Sequence, residues 1–147
     1  MTENTTIMLF GTFDHLHAGH ENLFKQARKL APKPTEPTLV TVVALDKTVK
    51  QIKTNSPDNK EKIRKKNLED TRWSNVVILG DKKDKYKAIK TFRPSIIALG
   101  YDQYAFTHQL EKLTIDLRLD TKIVRLAPYK EKLYKSSIIK ELNAKTQ

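Results

Sequence analysis

The feature that most narrows what this chain can fold into is a series of short apolar runs, rich in β-branched residues, that alternate with stretches of helical period. Thr6–Phe10, Leu39–Leu45 (LVTVVAL), Asn75–Leu79 (NVVIL), Ser95–Leu99 (SIIAL) and Lys122–Leu126 are each too short for a core helix. Continuous runs of this kind suit strands buried on both faces. Between them, Leu23, Ala27 and Leu30 mark a helix over Ala18–Leu30, and Leu110, Leu113 and Leu117 continue the face begun by Phe106. Asp58 with Glu61 has the spacing of a capping box for a helix running to about Thr71, a lysine-rich helix is expected around Tyr86–Phe92, and Ser136–Asn143 reads as a serine-capped C-terminal helix. The segment Lys47–Pro57 reads as a basic, polar connection. Strands alternating with helices at this pitch predict an α/β fold, a doubly wound parallel five-stranded sheet with helices on both faces. At 147 residues, the chain is expected to form one domain over 1–147. In such sheets ligands bind beyond the carboxyl ends of the strands.

Composition excludes some classes of function. The chain has no cysteine, so disulfides and cysteine-ligated metals are ruled out. Its longest apolar runs are far too short to span a bilayer, and the first residues lack a basic segment followed by a long apolar stretch, so a cytoplasmic location with no membrane partner is expected by elimination. Twenty-eight Lys and Arg against 17 Asp and Glu give a formal charge of +11, which concentrates anions around the protein. The lysines are spread along the chain, which fits a solvated surface better than a nucleic-acid face.

The first strand runs directly into Gly11-Thr12-Phe13-Asp14-His15-Leu16-His17-Ala18-Gly19-His20. A glycine here lets a ligand approach the backbone, and the helix that follows offers an N-terminus with main-chain N–H groups, a natural place for a phosphate. His17 and His20, three apart, project from the same side of a first helical turn. Taken alone, His-x-x-His is as well explained by a tight turn with a capping histidine. A zinc site would need further ligands, and His108 has no evident partner.

The whole string in its setting resembles the cytidylyltransferase-like nucleotidyltransferase family, whose Gly-Thr-Phe-Asp turn and His-x-Gly-His signature both stand here at the usual spacing. The resemblance extends to a basic stretch after the second strand (Asp46 to Lys53), Ile63-Arg64 at a helix start, and Leu-Gly-Tyr-Asp-Gln at 99–103. Within the family, the likeness is to archaeal-type FAD synthases and to glycerol-3-phosphate cytidylyltransferases. It implies a Rossmann-like fold and transfer of a nucleoside monophosphate from CTP or ATP to a phosphorylated acceptor, FMN or alternatively glycerol 3-phosphate, with release of pyrophosphate. Magnesium would accompany the triphosphate, nucleic acid would not be a partner, and a homodimer is expected.

Residue by residue, the resemblance makes His17 and His20 phosphate-contacting catalytic groups and Arg64 a phosphate-binding arginine. It places Gly11, Thr12, Phe13, Asp14, Gly19, Gly100 and Asp102 around the nucleotide, with Asp14 there as a loop-ordering residue and Phe13 also a candidate core residue, and Lys50 and Lys53 at the acceptor phosphate. A histidine between phosphates is expected to be cationic and to donate from both nitrogens. Relatives carry Arg-Thr-x-Gly-Ile-Ser-Thr-Thr before the last helix, whereas residues 129–137 here lack arginine and glycine and keep only the hydroxyls of Ser136 and Ser137. That departure motivates an alternative from another class, a nucleotide- or nucleic-acid-binding module without turnover.

Overall fold

The structure, a computed structural model, describes residues 5–53, 55–101, 103 and 107–128. Asp102, Ser136, Ser137 and the expected C-terminal helix lie outside the described residues. Five parallel strands, β1 (Thr6–Gly11), β2 (Thr38–Val43), β3 (Val76–Leu79), β4 (Ile96–Leu99) and β5 (Lys122–Arg125), form one sheet in the order β3-β2-β1-β4-β5. The helices are α1 (Ala18–Arg28), α2 (Asp46–Lys53), α3 (Glu61–Thr71), α4 (Lys87–Phe92) and α5 (Thr107–Asp116). The expected doubly wound α/β sheet is therefore present.

Side chains alternate across a strand, so β1 feeds two cores at once. Ile7 and Leu9 join a layer with Phe24 and Ala27 of α1 and Leu68 of α3, while Met8 joins Ile89 of α4 and Leu110 of α5 on the opposite face. Ile7, Met8 and Leu9 have no exposed surface, as expected of a central strand covered on both sides. Strand order reverses direction at β1, which pairs with both β2 and β4. The crevice over the carboxyl ends of β1 and β4 is the topological switch point of the sheet.

Two elements differ from the sequence expectation. Asp46–Lys53 forms a helix where a polar connection was expected. α3 starts from Lys60, which makes no side-chain cap, rather than from an Asp58–Glu61 box. Asp58 instead meets His15, and Glu61 reaches back to the main chain of Asp46.

Candidate active site

The loop from Gly11 to His17 leaves β1 at the switch point and enters α1, and its shape depends on contacts that a linear pattern does not contain. Phe13 (φ 54°) and His15 (φ 52°) both occupy the left-handed region, which side chains with a Cβ rarely adopt. Gly11 precedes them for a steric reason: a Cβ there would stand 2.8 Å from the Phe13 ring. That ring is buried against Phe24, with centroids 5.5 Å apart, and lies 5.7 Å from the His20 ring. Phe13 is thus a core side chain, and only its backbone can serve a ligand.

His17 is the N-cap of α1. Its Nδ1 accepts the Gly19 N–H at 2.9 Å, and His20 Nδ1 accepts the His17 N–H at 3.2 Å, a capping box in which histidines take the places usually held by Ser/Thr and Glu/Gln. A nitrogen that accepts a main-chain N–H carries no proton, so each neutral ring has its proton on Nε2. The ring centroids are 4.1 Å apart. Burial holds the His17 imidazole below the ordinary histidine pKa. The Gly19 N–H of the first turn is thus already met by His17, and with each Nδ1 engaged as an acceptor, Nε2 is the nitrogen that each neutral ring has to donate.

Asp14 orders the loop. Its carboxylate accepts the main-chain N–H groups of Asp58 (2.7 Å) and Asn59 (3.3 Å) and the Asn59 side-chain amide (2.8 Å). Burial works to raise its pKa, but the Asn59 amide, the two main-chain N–H groups and nearby His15 outweigh it and hold the carboxyl below the ordinary aspartate range. His15 Nε2 lies 2.6 Å from Asp58 Oδ2, and that hydrogen bond, with the charge of Asp14, raises the His15 pKa.

Arg64 departs furthest from its expected role. Its side chain has no exposed surface, and Nε donates to the Asn59 carbonyl (2.9 Å), Nη1 to the Thr12 carbonyl (2.7 Å) and Nη2 to Asp46 Oδ1 (2.7 Å). A guanidinium engaged at all three nitrogens and shut off from solvent presents no edge to a phosphate. Arg64 braces the loop after β1 from behind.

Thr12 and Gly19 are half-buried in the loop and first helical turn. Lys50 is exposed one turn along α2 from Asp46, and Lys53 is the last residue of that helix. Gly100 is buried just past β4. Its N–H donates to Gln103 Oε1 (2.7 Å), while Gln103 Nε2 donates to the Phe10 carbonyl (2.7 Å), stitching together the ends of β4 and β1. Arg125 Nη1 adds bonds to the carbonyls of Gly100 (3.0 Å) and Gln103 (2.8 Å). Gln103, Arg125, Asp46 and Asn59 escaped sequence reasoning as site residues. Gln103 carried a signal as the last residue of Leu-Gly-Tyr-Asp-Gln, and Asp46 as the first residue of the stretch Asp46 to Lys53; Arg125 and Asn59 carried none.

Asp14, His15 and Asp58 bring ligand atoms within 4.8 Å of one another. They do not fit a resident magnesium site, because Mg²⁺ takes an octahedron of oxygens, whereas His15 offers nitrogen and the Asp14 oxygens are held by N–H donors.

Fold and loop together define a class: a Rossmann-like α/β domain whose first strand–helix turn presents paired imidazoles at the switch point. The family model for cytidylyltransferase-like proteins matches residues 8–142. FAD synthase of Aciduliprofundum boonei is 38% identical over 123 residues, 84% of this chain and 78% of its own length. FAD synthase of Picrophilus torridus is 34% identical over 134 residues, 91% and 92% of the two chains. A solved structure of a lipopolysaccharide core biosynthesis protein from Thermoplasma volcanium is 33% identical and superposes with a TM-score of 0.74, covering 85% of this chain and 98% of that one. A pantoate–β-alanine ligase from Francisella tularensis, 17% identical with a TM-score of 0.58 over 95% of this chain and 69% of its own, shares the fold. The chain belongs to the cytidylyltransferase-like family.

Proposed function

We propose that this protein is an FMN adenylyltransferase, transferring AMP from ATP to FMN to give FAD and pyrophosphate. The observation that carries the reading is the pair of imidazoles at the start of α1 whose Nδ1 atoms accept main-chain N–H groups, in a family whose relatives at 34–38% identity are named FAD synthase. A terminal phosphate oxygen of FMN attacks the α-phosphorus of ATP in line; the new P–O bond forms as the bond to the β-phosphate oxygen breaks, and the electron pair leaves with pyrophosphate. The protein's work is then to position the reactants and to meet the charge that builds on phosphate oxygens.

In this reading His17 and His20 donate from Nε2 to the triphosphate, and the loop backbone and Thr12 hydroxyl supply further donors. Gly100 is proposed to serve the nucleotide, and so, by their likeness to family positions, are Asp102, Ser136 and Ser137, which lie outside the described residues. Lys50 and Lys53 attract the FMN phosphate from α2. Magnesium arrives with ATP as part of the substrate. Among the described residues no helix is long and apolar enough to cross a membrane. The enzyme is proposed to act in the cytoplasm as a homodimer.

The test is incubation with ATP or CTP, magnesium and either FMN or glycerol 3-phosphate, following pyrophosphate release and identifying the product by chromatography. FAD formed from ATP and FMN is the expected outcome. Faster transfer from CTP to glycerol 3-phosphate would reassign the substrates, and nucleotide binding without pyrophosphate release from any acceptor would overturn the enzymatic reading.

A further inference from the structure

A single buried guanidinium joins three loops at the carboxyl end of the sheet. Arg64, in the first turn of α3, reaches Thr12 in the loop after β1, Asp46 at the junction of β2 and α2, and Asn59 in the turn before α3. Two further ties close the frame. Asp14 grips the main chain of residues 58 and 59, and Glu61 Oε1 accepts the Asp46 N–H at 2.9 Å. Such a frame suits the loop it holds, because Phe13 and His15 sit in left-handed backbone that persists only where surrounding contacts over-determine it.

We propose that Asp46, acting through Arg64, is a positioning residue that sets the distance between the nucleotide loop after β1 and helix α2. The inference rests on the adenylyl-transfer reading, in which the triphosphate lies on the first of these segments and the acceptor phosphate is drawn by lysines on the second. Asp46 is suited to this task because it is both the first residue of α2 and the counter-charge of Arg64 (Oδ1 to Nη2, 2.7 Å), so one residue carries the register of α2 into the loop that holds His17. An error of about an ångström in the approach of two reactants commonly costs about a hundredfold in rate. Asp46 itself need touch neither substrate.

The test compares Asp46→Ala with Asp46→Asn in the full chain. Asp46→Ala removes the acceptor of Arg64 Nη2, while Asp46→Asn keeps an oxygen there. We expect Asp46→Ala to lower kcat for FAD formation by about 10-fold or more, to change the dissociation constant of a non-hydrolysable ATP analogue less than about threefold because the Asp14 tie remains, and to be rescued substantially by Asp46→Asn. Hydrogen exchange at amides 12–15 and 58–59 should quicken in Asp46→Ala, with amides of β1 and β4 unchanged. A folded Asp46→Ala protein with wild-type kcat and wild-type exchange in those loops would overturn the proposal. So would a uniform rise in exchange that matches the loss of activity, because that marks a purely structural role. If the wild-type protein transfers AMP to no acceptor, the functional reading fails by itself, and the exchange pattern still decides whether Asp46 braces the loop.

Discussion

On the proposed reading His17 serves two purposes with two nitrogens, and this allows them to be separated. Nδ1 caps α1, so His17→Ala should cost about 1 kcal/mol of stability as well as activity; a histidine acting only on phosphate would leave stability unchanged. Asparagine is among the best N-caps, so His17→Asn should restore thermal stability while turnover stays down by about 10²-fold, the usual effect of losing one transition-state donor. Calorimetry and pyrophosphate release measure the two effects. His15 and His17 should also titrate in opposite senses about the ordinary value of 6.5, His15 above it through Asp58 and Asp14, and His17 below it through burial. The sign for stability follows. The His15–Asp58 contact contributes fully below pH 6.5 and is lost as pH rises through the raised His15 value, whereas the Asp14 contacts contribute above pH 3.8 and are lost as pH falls through its lowered value. Histidine ring chemical shifts followed against pH would check the order, and the reverse order would contradict the geometry.

At the scale of elements, β1, β2, β4 and α1 were legible because each carries its own period and its own ends. α2 was not. Its apolar residues are only Val49, which is buried, and Ile52, set among polar and basic ones, and it is anchored by Asp46 to partners in α3 that a local window does not contain. α3 and α4 end on Arg72 (φ 60°) and Arg93 (φ 44°), left-handed positions where glycine is the unstrained choice. Arg72→Gly or Arg93→Gly should therefore raise stability by up to about 1 kcal/mol, measured by urea denaturation. Gly11→Ala should do the opposite. Its Cβ would press on a Phe13 ring held by Phe24, and overpacking of this kind costs about 1–3 kcal/mol.

For the molecule as a whole, a charge of +11 acts at long range, so association of an ATP analogue should slow as salt rises from about 10 to about 150 mM. The dependence should be shallow, since a triphosphate makes fewer ion contacts than a nucleic acid, and stopped-flow measurements across that range would reveal a steep slope if the basic surface served nucleic acid instead. Alternating hydrophobic patterns determined the parallel α/β sheet, and a contiguous ten-residue string determined where the loop with the paired imidazoles lies, because both are local properties of the chain. The capping contacts of the two imidazoles and the three-way contact of Arg64 were decided only in three dimensions. Arg64 meets partners 5, 18 and 52 residues away, and the partial burial that lowers the His17 pKa does not exist until the sheet and helices have packed.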